Sequence, residues 1–230
     1  MELLQTPDFW IGLVKIVWIN IILSGDNAVV IALAARSLPA EQQKKAIFWG
    51  SGAAVVLRIM LTVVAAWLLQ LSFLQIVGGA LLLWIGVQLL GDEDDDEGEA
   101  KENGGLMAAV RTILIADLVM SLDNVIAVAA AAKGSMVLLI LGLAISIPLV
   151  IFGSTLMIKL MARFPIIVTL GAALIGWVGG ETIIGDVSLR EVLAANPWLH
   201  YAAAAAGAVF VVAVGKFLAA RGQAKEASAH

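Results

Sequence analysis

Cysteine is absent from this 230-residue chain, which excludes disulfides and thiolate metal sites. Histidine is nearly absent, so only His200 and His230 could offer an imidazole. Charge is scarce, at 14% of residues against about a quarter in soluble domains. With 61% hydrophobic residues and a mean hydropathy of +0.99, the chain is no ordinary soluble globule. Period-2 alternation is lacking, which argues against an outer-membrane barrel. There is no P-loop, so primary pumping by this chain alone is not expected, and no HExxH or GxSxG motif to suggest an intramembrane protease. No enzymatic activity and no nucleic-acid partner is expected.

What the chain has is long apolar runs. A spanning helix needs about 20 mostly apolar residues. Seven segments qualify, at 9–35, 46–70, 72–90, 106–132, 136–158, 165–186 and 199–220. The expected fold is an all-α polytopic membrane protein. The first segment is too long for a secretory signal, starts among acidic residues, and is read as retained. Arg36, Lys44, Lys45, Lys101, Arg111, Lys159, Arg163, Lys216, Arg221 and Lys225 all fall on one side of these segments. Only Lys133 and Arg190 fall on the other, which predicts N-terminus out and C-terminus in.

Inside this oily background the run LSGDNAVVIALAAR (23–36) is answered 97 positions later by MSLDNVIAVAAAAK (120–133). The offset pairs Asn20 with Asp117, Ser24 with Ser121, Asp26 with Asp123 and Asn27 with Asn124. GGALLLWIGVQ (78–88) lies over GAALIGWVGGE (171–181) at an offset of 93, pairing Gln88 with Glu181. Segments two and five match more weakly, around Gly50 and Gly142. Three helices per copy forces the second copy to enter the membrane from the opposite side, an inverted repeat of the kind secondary transporters use. The expected division is residues 1–91 as the first repeat, 92–104 as an acidic cytoplasmic linker, 105–190 as the inverted repeat, and 191–230 as a seventh helix and tail.

A carboxylate at the bilayer midplane costs about 2.5–3.5 kcal/mol, so it faces a cavity, a partner or an ion. The intramembrane carboxylates are Asp26, Asp117, Asp123 and Glu181, against the single cation Arg58. Asn20, Ser24, Asn27, Gln88, Ser121 and Asn124 add neutral oxygens. Such an excess of negative charge must be neutralised by protons or a cation. Hard oxygens suit Mg²⁺, Ca²⁺ or Mn²⁺, whereas zinc and copper recruit Cys or His. Met120, one turn from Asp117, offers a soft thioether that would favour Mn²⁺, although methionine in a bundle is more often packing. The expected metal ligands are Asp26, Asn27, Asp117, Asp123 and Asn124. Asn20, Ser24, Ser121, Met120, Gln88 and Glu181 are secondary or gating positions, and Arg58 is a counter-ion for Asp117 or Asp26. Asn20, Ser24 and Asn27 share one helical face while Asp26 lies off it, so local unwinding at each motif would let the oxygens converge.

Other residues read more plainly. Lys15 snorkels, His200 sits beside Trp198 and Tyr201 in an aromatic belt, and Gly176-xxx-Gly180 marks close helix packing. Asp186, Arg190 and Glu191 read as ordinary loop residues. The acidic run DEDDDEGEAKE (92–102) is a solvated connector or a cation-gathering antenna.

LSGDNAVVIALAARSLP (23–39) and ADLVMSLDNVIAVAAAA (116–132), with IPLVIFGS (147–154) and GWVGGE (176–181), resemble the TerC (tellurium resistance protein C) family of integral membrane proteins, closest to its shorter bacterial branch. The resemblance spans segments one to six. It implies a seven-helix protein of metal-ion homeostasis in the bacterial inner membrane, concerned with manganese efflux or with supplying manganese to exported metalloenzymes. The family's acidic positions fall on Asp26 and Asp123, with Asn27 and Asn124 beside them. The expectation is a Mn²⁺ exporter in which the metal is transported substrate, entering from the cytoplasm and leaving past Glu181 as the repeats rock. The alternatives are a Ca²⁺ or Mg²⁺ transporter through the same site, or a metal-binding membrane scaffold that supports secretion or metalloprotein maturation. A divalent cation and the lipid bilayer are the expected partners; a homo-oligomer and a secretion or metalloenzyme partner stay open.

Overall fold

The computed structural model describes residues 7–23, 25–68, 70–91, 104–132 and 135–227. Ser24, most of the acidic linker, and the side chains of Asn20 and Asp123 lie outside the described residues. The described chain forms α1 (Pro7–Leu23), α2 (Gly25–Ala35), α3 (Ala40–Leu68), α4 (Leu74–Gly91), α5 (Gly104–Ala132), α6 (Met136–Arg163), α7 (Ile166–Ile184), α8 (Arg190–Ala195) and α9 (Leu199–Ala227). Among the described residues there is no strand. Helix is what an apolar medium demands, because every backbone N–H and C=O must be satisfied within its own segment. Among the described residues six helices are long and apolar enough to cross a membrane, and α2 is a shorter apolar helix. The chain is therefore an all-α polytopic membrane protein. Its surface is the reverse of a soluble one: Trp10, Trp18, Trp49, Trp84 and Phe152 stand outward and exposed.

The first expected segment is covered by two helices, α1 and α2, which flank Ser24. The second motif is different. Helix α5 runs without interruption through Ser121–Asn124, where unwinding had been expected. Leu122 stands where the first copy has Gly25, and its side chain is buried in the bundle, so nothing favours opening the helix there.

Small residues set how the helices meet. An added Cβ at Gly176 would run into the Gly207 carbonyl, and one at Gly180 into that of Ala203, so α7 and α9 approach backbone to backbone. Helix α4 closes on the other side of α7, where a Cβ at Gly79 would lie 2.5 Å from the Gly179 oxygen. The remaining helices pack around one another, α3 on α5 and α6 on α1 and α2. A Cβ at Gly50 would meet the Ile113 side chain of α5, and one at Gly142 would meet Ile16 of α1. Ile16 and Ile113 are themselves related by the 97-residue offset, so these two contacts exchange when the halves are exchanged. Gly86 with Ile175 and Gly179 with Leu82 exchange under the 93-residue offset, each with a Cβ separation of 3.3 Å.

Asp186 is not an ordinary loop residue. It is fully buried between the end of α7 and the start of α4. One carboxylate oxygen accepts from Phe73 N–H at 3.0 Å, Ser188 N–H at 2.9 Å and the Ser188 hydroxyl at 2.6 Å. The other accepts from Gln75 N–H at 3.1 Å and Ile76 N–H at 3.4 Å. These are amides that a helix start leaves without intrahelical partners, so Asp186 caps α4 from more than a hundred residues away. Phe73 adopts φ 70°, a left-handed conformation unusual for a non-glycine residue. Burial pushes the Asp186 carboxyl up, but the Ser188, Phe73 and Ile76 donors outweigh it and hold it at about 2 instead of 3.8. Arg190 and Glu191 remain exposed loop-side residues of α8.

Gly180→Val should lower the unfolding temperature in detergent, with a cost of about 1–3 kcal/mol for overpacking. Gly52→Ala, with nothing within 4 Å of the new Cβ, should leave it unchanged or slightly raised. For Asp186, a depressed folded pKa means stability that is present above pH 3.8 and lost as pH falls through about 2. The Tm of Asp186→Ala should therefore lie below wild type at neutral pH, and the two should converge towards pH 2.

Candidate functional site: a polar centre between the two motifs

Asp117 and Ser121 stand one turn apart on α5, so their side chains share a face. Arg58 reaches them from α3. Its Nη2 donates to Asp117 Oδ1, its Nε donates to Ser121 Oγ at 2.9 Å, and the Ser121 hydroxyl donates to Asp117 Oδ2 at 3.1 Å. The three groups close a hydrogen-bonded ring. Arg58 is 4% exposed, Asp117 6% and Ser121 0%, so the ring is shut away from solvent. Of the two carboxylates considered as partners for Arg58, Asp117 is the one it pairs with.

Across from this ring, α2 brings the first motif. Asp26 lies in the first turn of α2, half-buried, with Oδ1 accepting from the Asn27 N–H at 2.9 Å. Asp26 is close enough to feel the charges of both Arg58 and Asp117. Asn27 is 3% exposed, and neither its side-chain oxygen nor its nitrogen has a hydrogen-bond partner. Ser51 on α3, two turns before Arg58, likewise has an unpartnered buried hydroxyl. A buried polar group left unpaired costs about 1–3 kcal/mol, so such groups are rare in a native interior unless something occupies them.

The structure joins Arg58, Asp117 and Ser121 in one hydrogen-bonded ring and leaves Asp26 within electrostatic range of it, with Asn27 beside Asp26 on α2. Asn124 is half-buried and engaged. Met120 is buried within the main apolar core. The backbones of Asn20 and Asp123 lie on α1 and α5. Glu181 and Gln88 go elsewhere. Glu181 meets His200 of α9, with Oε1 and Nε2 3.2 Å apart. Gln88 is exposed in a groove of about 690 Å³ between α4 and α9, beside Trp84, Phe210 and Leu218. Aligning the expected repeats pairs these two residues, but it cannot reveal that α9 lies against both their helices. His200 does keep its aromatic neighbour, lying edge-on to Tyr201 at 5.4 Å. Among the described residues, no group of three or more His, Asp or Glu side chains converges as a ready-made metal cluster. Sequence reading missed Asp186 and Ser51, and while it named Asn27, only the fold shows that the Asn27 amide is buried without a partner.

A bundle of apolar helices with an enclosed charged centre defines a multi-pass integral membrane protein. Residues 5–223 match the integral membrane protein TerC family, and the chain belongs to that family. It is 46% identical over 187 residues to the uncharacterized membrane protein YjbE of Bacillus subtilis (strain 168), covering 81% of this chain and 85% of that one. It is 26% identical over 203 residues to the uncharacterized membrane protein YkoY of the same organism, covering 80% and 62%. The UPF0053 inner membrane protein YoaE of Escherichia coli (strain K12) is 32% identical over 145 residues, covering 55% of this chain and 28% of that protein. No solved structure shows significant similarity.

Removing one member of a buried ion pair leaves the other uncompensated, at a cost of about 3–5 kcal/mol. Arg58→Met and Asp117→Leu should each destabilise by that order in chemical denaturation. The double variant should be less destabilised than either single one, because it leaves no orphan charge.

Proposed function

We propose that this protein is a secondary transporter that exports a divalent cation, Mn²⁺ foremost, across the bacterial inner membrane. The observation that carries the reading is the unpartnered, buried Asn27 amide beside Asp26 in the first turn of α2, with Asp26 within electrostatic range of Asp117 and Arg58. A buried amide oxygen and a carboxylate are hard ligands in search of a partner, and a divalent cation that sheds water would supply one. Charge points the same way. Asp26, Asp117 and Asp123 against Arg58 leave two net negative charges in the two motif segments, which one divalent cation neutralises. Asp123 and Asn124 of the second motif are the further ligands in this reading, with Asn20 and Ser24 as secondary oxygens.

The exchanging glycine contacts support an inverted repeat of residues 1–91 and 105–190, with α9 added, and such repeats place their substrate between the halves. The N-terminus-out, C-terminus-in orientation from the basic loops would open the α2–α5 side to the cytoplasm. Mn²⁺ is cargo here, and nothing in the reading calls for enzymatic chemistry. Ca²⁺ or Mg²⁺ would use the same oxygens. The closed Arg58–Asp117–Ser121 ring favours one further reading, a membrane scaffold that binds metal structurally and serves secretion or metalloprotein maturation.

Purified protein in proteoliposomes should move Mn²⁺ under an imposed proton, sodium or voltage gradient. Asp26→Asn and Asp123→Asn should each reduce that flux at least about tenfold while remaining folded. Metal binding without flux under any of the three gradients would defeat the exporter and leave the scaffold.

A further inference from the structure

The two motifs are alike in sequence but not in state. In the second, both Asp117 oxygens are engaged, one by Arg58 and one by Ser121, and Arg58 bonds Ser121 as well. Asp117 and Ser121 are thus already satisfied by a cation that belongs to the chain. In the first, the equivalents of Asp117 and Ser121 are the neutral Asn20 and Ser24. The helix that stands where α3 stood is α6, and between Met136 and Ile158 it has no charged residue. Aligning segments two and five on Gly50 and Gly142 puts Val150 at the place of Arg58. On this side the buried Asn27 amide has no partner at all.

We propose that Arg58 is the resident counter-ion of Asp117, so that the chain holds one cargo cation, centred on the Asp26–Asn27 side, instead of two symmetric ones. This deepens the transport reading and rests on it. The physical logic is competition for a carboxylate. Guanidinium in bidentate or networked contact is among the stronger partners a buried carboxylate can have, and it cannot be deprotonated to release it. Asp117 is then a positioning residue. It holds the Arg58 charge at a fixed distance from Asp26, and that fixed positive charge limits how much cation charge the centre admits. A second divalent cation at Asp117 would have to displace a guanidinium that is buried and hydrogen-bonded to both Asp117 and Ser121.

The test is Mn²⁺ titration calorimetry on the full chain in nanodiscs, comparing wild type with Asp117→Asn, Arg58→Gln/Asp117→Asn and Asp26→Asn. Wild type should bind one Mn²⁺ per chain. Asp117→Asn should weaken binding by roughly tenfold or more, because Arg58 then faces the site as an uncompensated positive charge in a medium of low dielectric. Adding Arg58→Gln should restore affinity to within about threefold of wild type, since each removed charge cancels the other's effect. Asp26→Asn should abolish binding. Recovery in the double variant is a readout that a merely structural Asp117 would not produce. The double variant carries no orphan charge, so it decides the question even where Asp117→Asn does not fold. A double variant that binds no Mn²⁺ makes Asp117 a ligand and overturns the inference while leaving the transport reading standing. Two Mn²⁺ per wild-type chain also overturns it. Wild type that binds no divalent cation sinks the transport reading itself.

Discussion

A guanidinium meeting a carboxylate inside an apolar bundle constrains everything around it. Taking either charge alone out of water is costly, so Arg58 and Asp117 must meet with good geometry wherever the chain is inserted. Their meeting fixes the register of α3 against α5. The same seam is tightened by Gly50, which accepts the Ile113 side chain within van der Waals reach only because it has no Cβ. With α5 so placed, Ser121 turns inward beside Asp117, and α2 brings Asp26 into the field of both charges. The polar centre is thus assembled by packing from three helices, the neighbouring α2 and α3 and the sequence-distant α5, and no single helix could create it.

The fold's other organising feature involves no charge. Without a hydrophobic force between helices in lipid, close association depends on dispersion and therefore on how near two backbones can come. Gly176, Gly180 and Gly207 let α7 and α9 touch, and Gly79 with Gly179 do the same for α4 and α7. Bulky side chains such as Trp84 and Phe152 are consequently displaced to the lipid-facing surface, which explains a composition rich in both glycine and tryptophan.

Much of this was legible from residues alone. Long apolar runs mark the helices because backbone satisfaction in lipid leaves no other choice, and a lone arginine among intramembrane aspartates had to find one of them. The pairing with Asp117 and not Asp26 was not legible, since both lie at similar depth and only the α3–α5 contact decides. The copies differ as Gly25 and Leu122 suggest: unwinding is easier at a glycine, and α5 stays continuous through Ser121–Asn124, where Leu122 is buried. Glu181 and Gln88 read as secondary or gating positions in the sequence, which gives no sign that α9 lies on the side they face. Asp186 escaped notice because a capping carboxylate carries no signal when the helix it caps begins over a hundred residues earlier.

That long-range cap has a mechanical consequence. By tying the first turn of α4 to the segment after α7, Asp186 joins the two helices end to end, where Gly79 and Gly179 already join them along their length. With α9 fastened to α7 by its glycines, the three become one stiff plate. The helices bearing the charged centre form the complementary body, touching the plate through far sparser contacts. Shear between plate and centre would break few interactions. Bending within the plate would tear a buried carboxylate from the three amides it holds at the start of α4, a cost that shear along the boundary avoids.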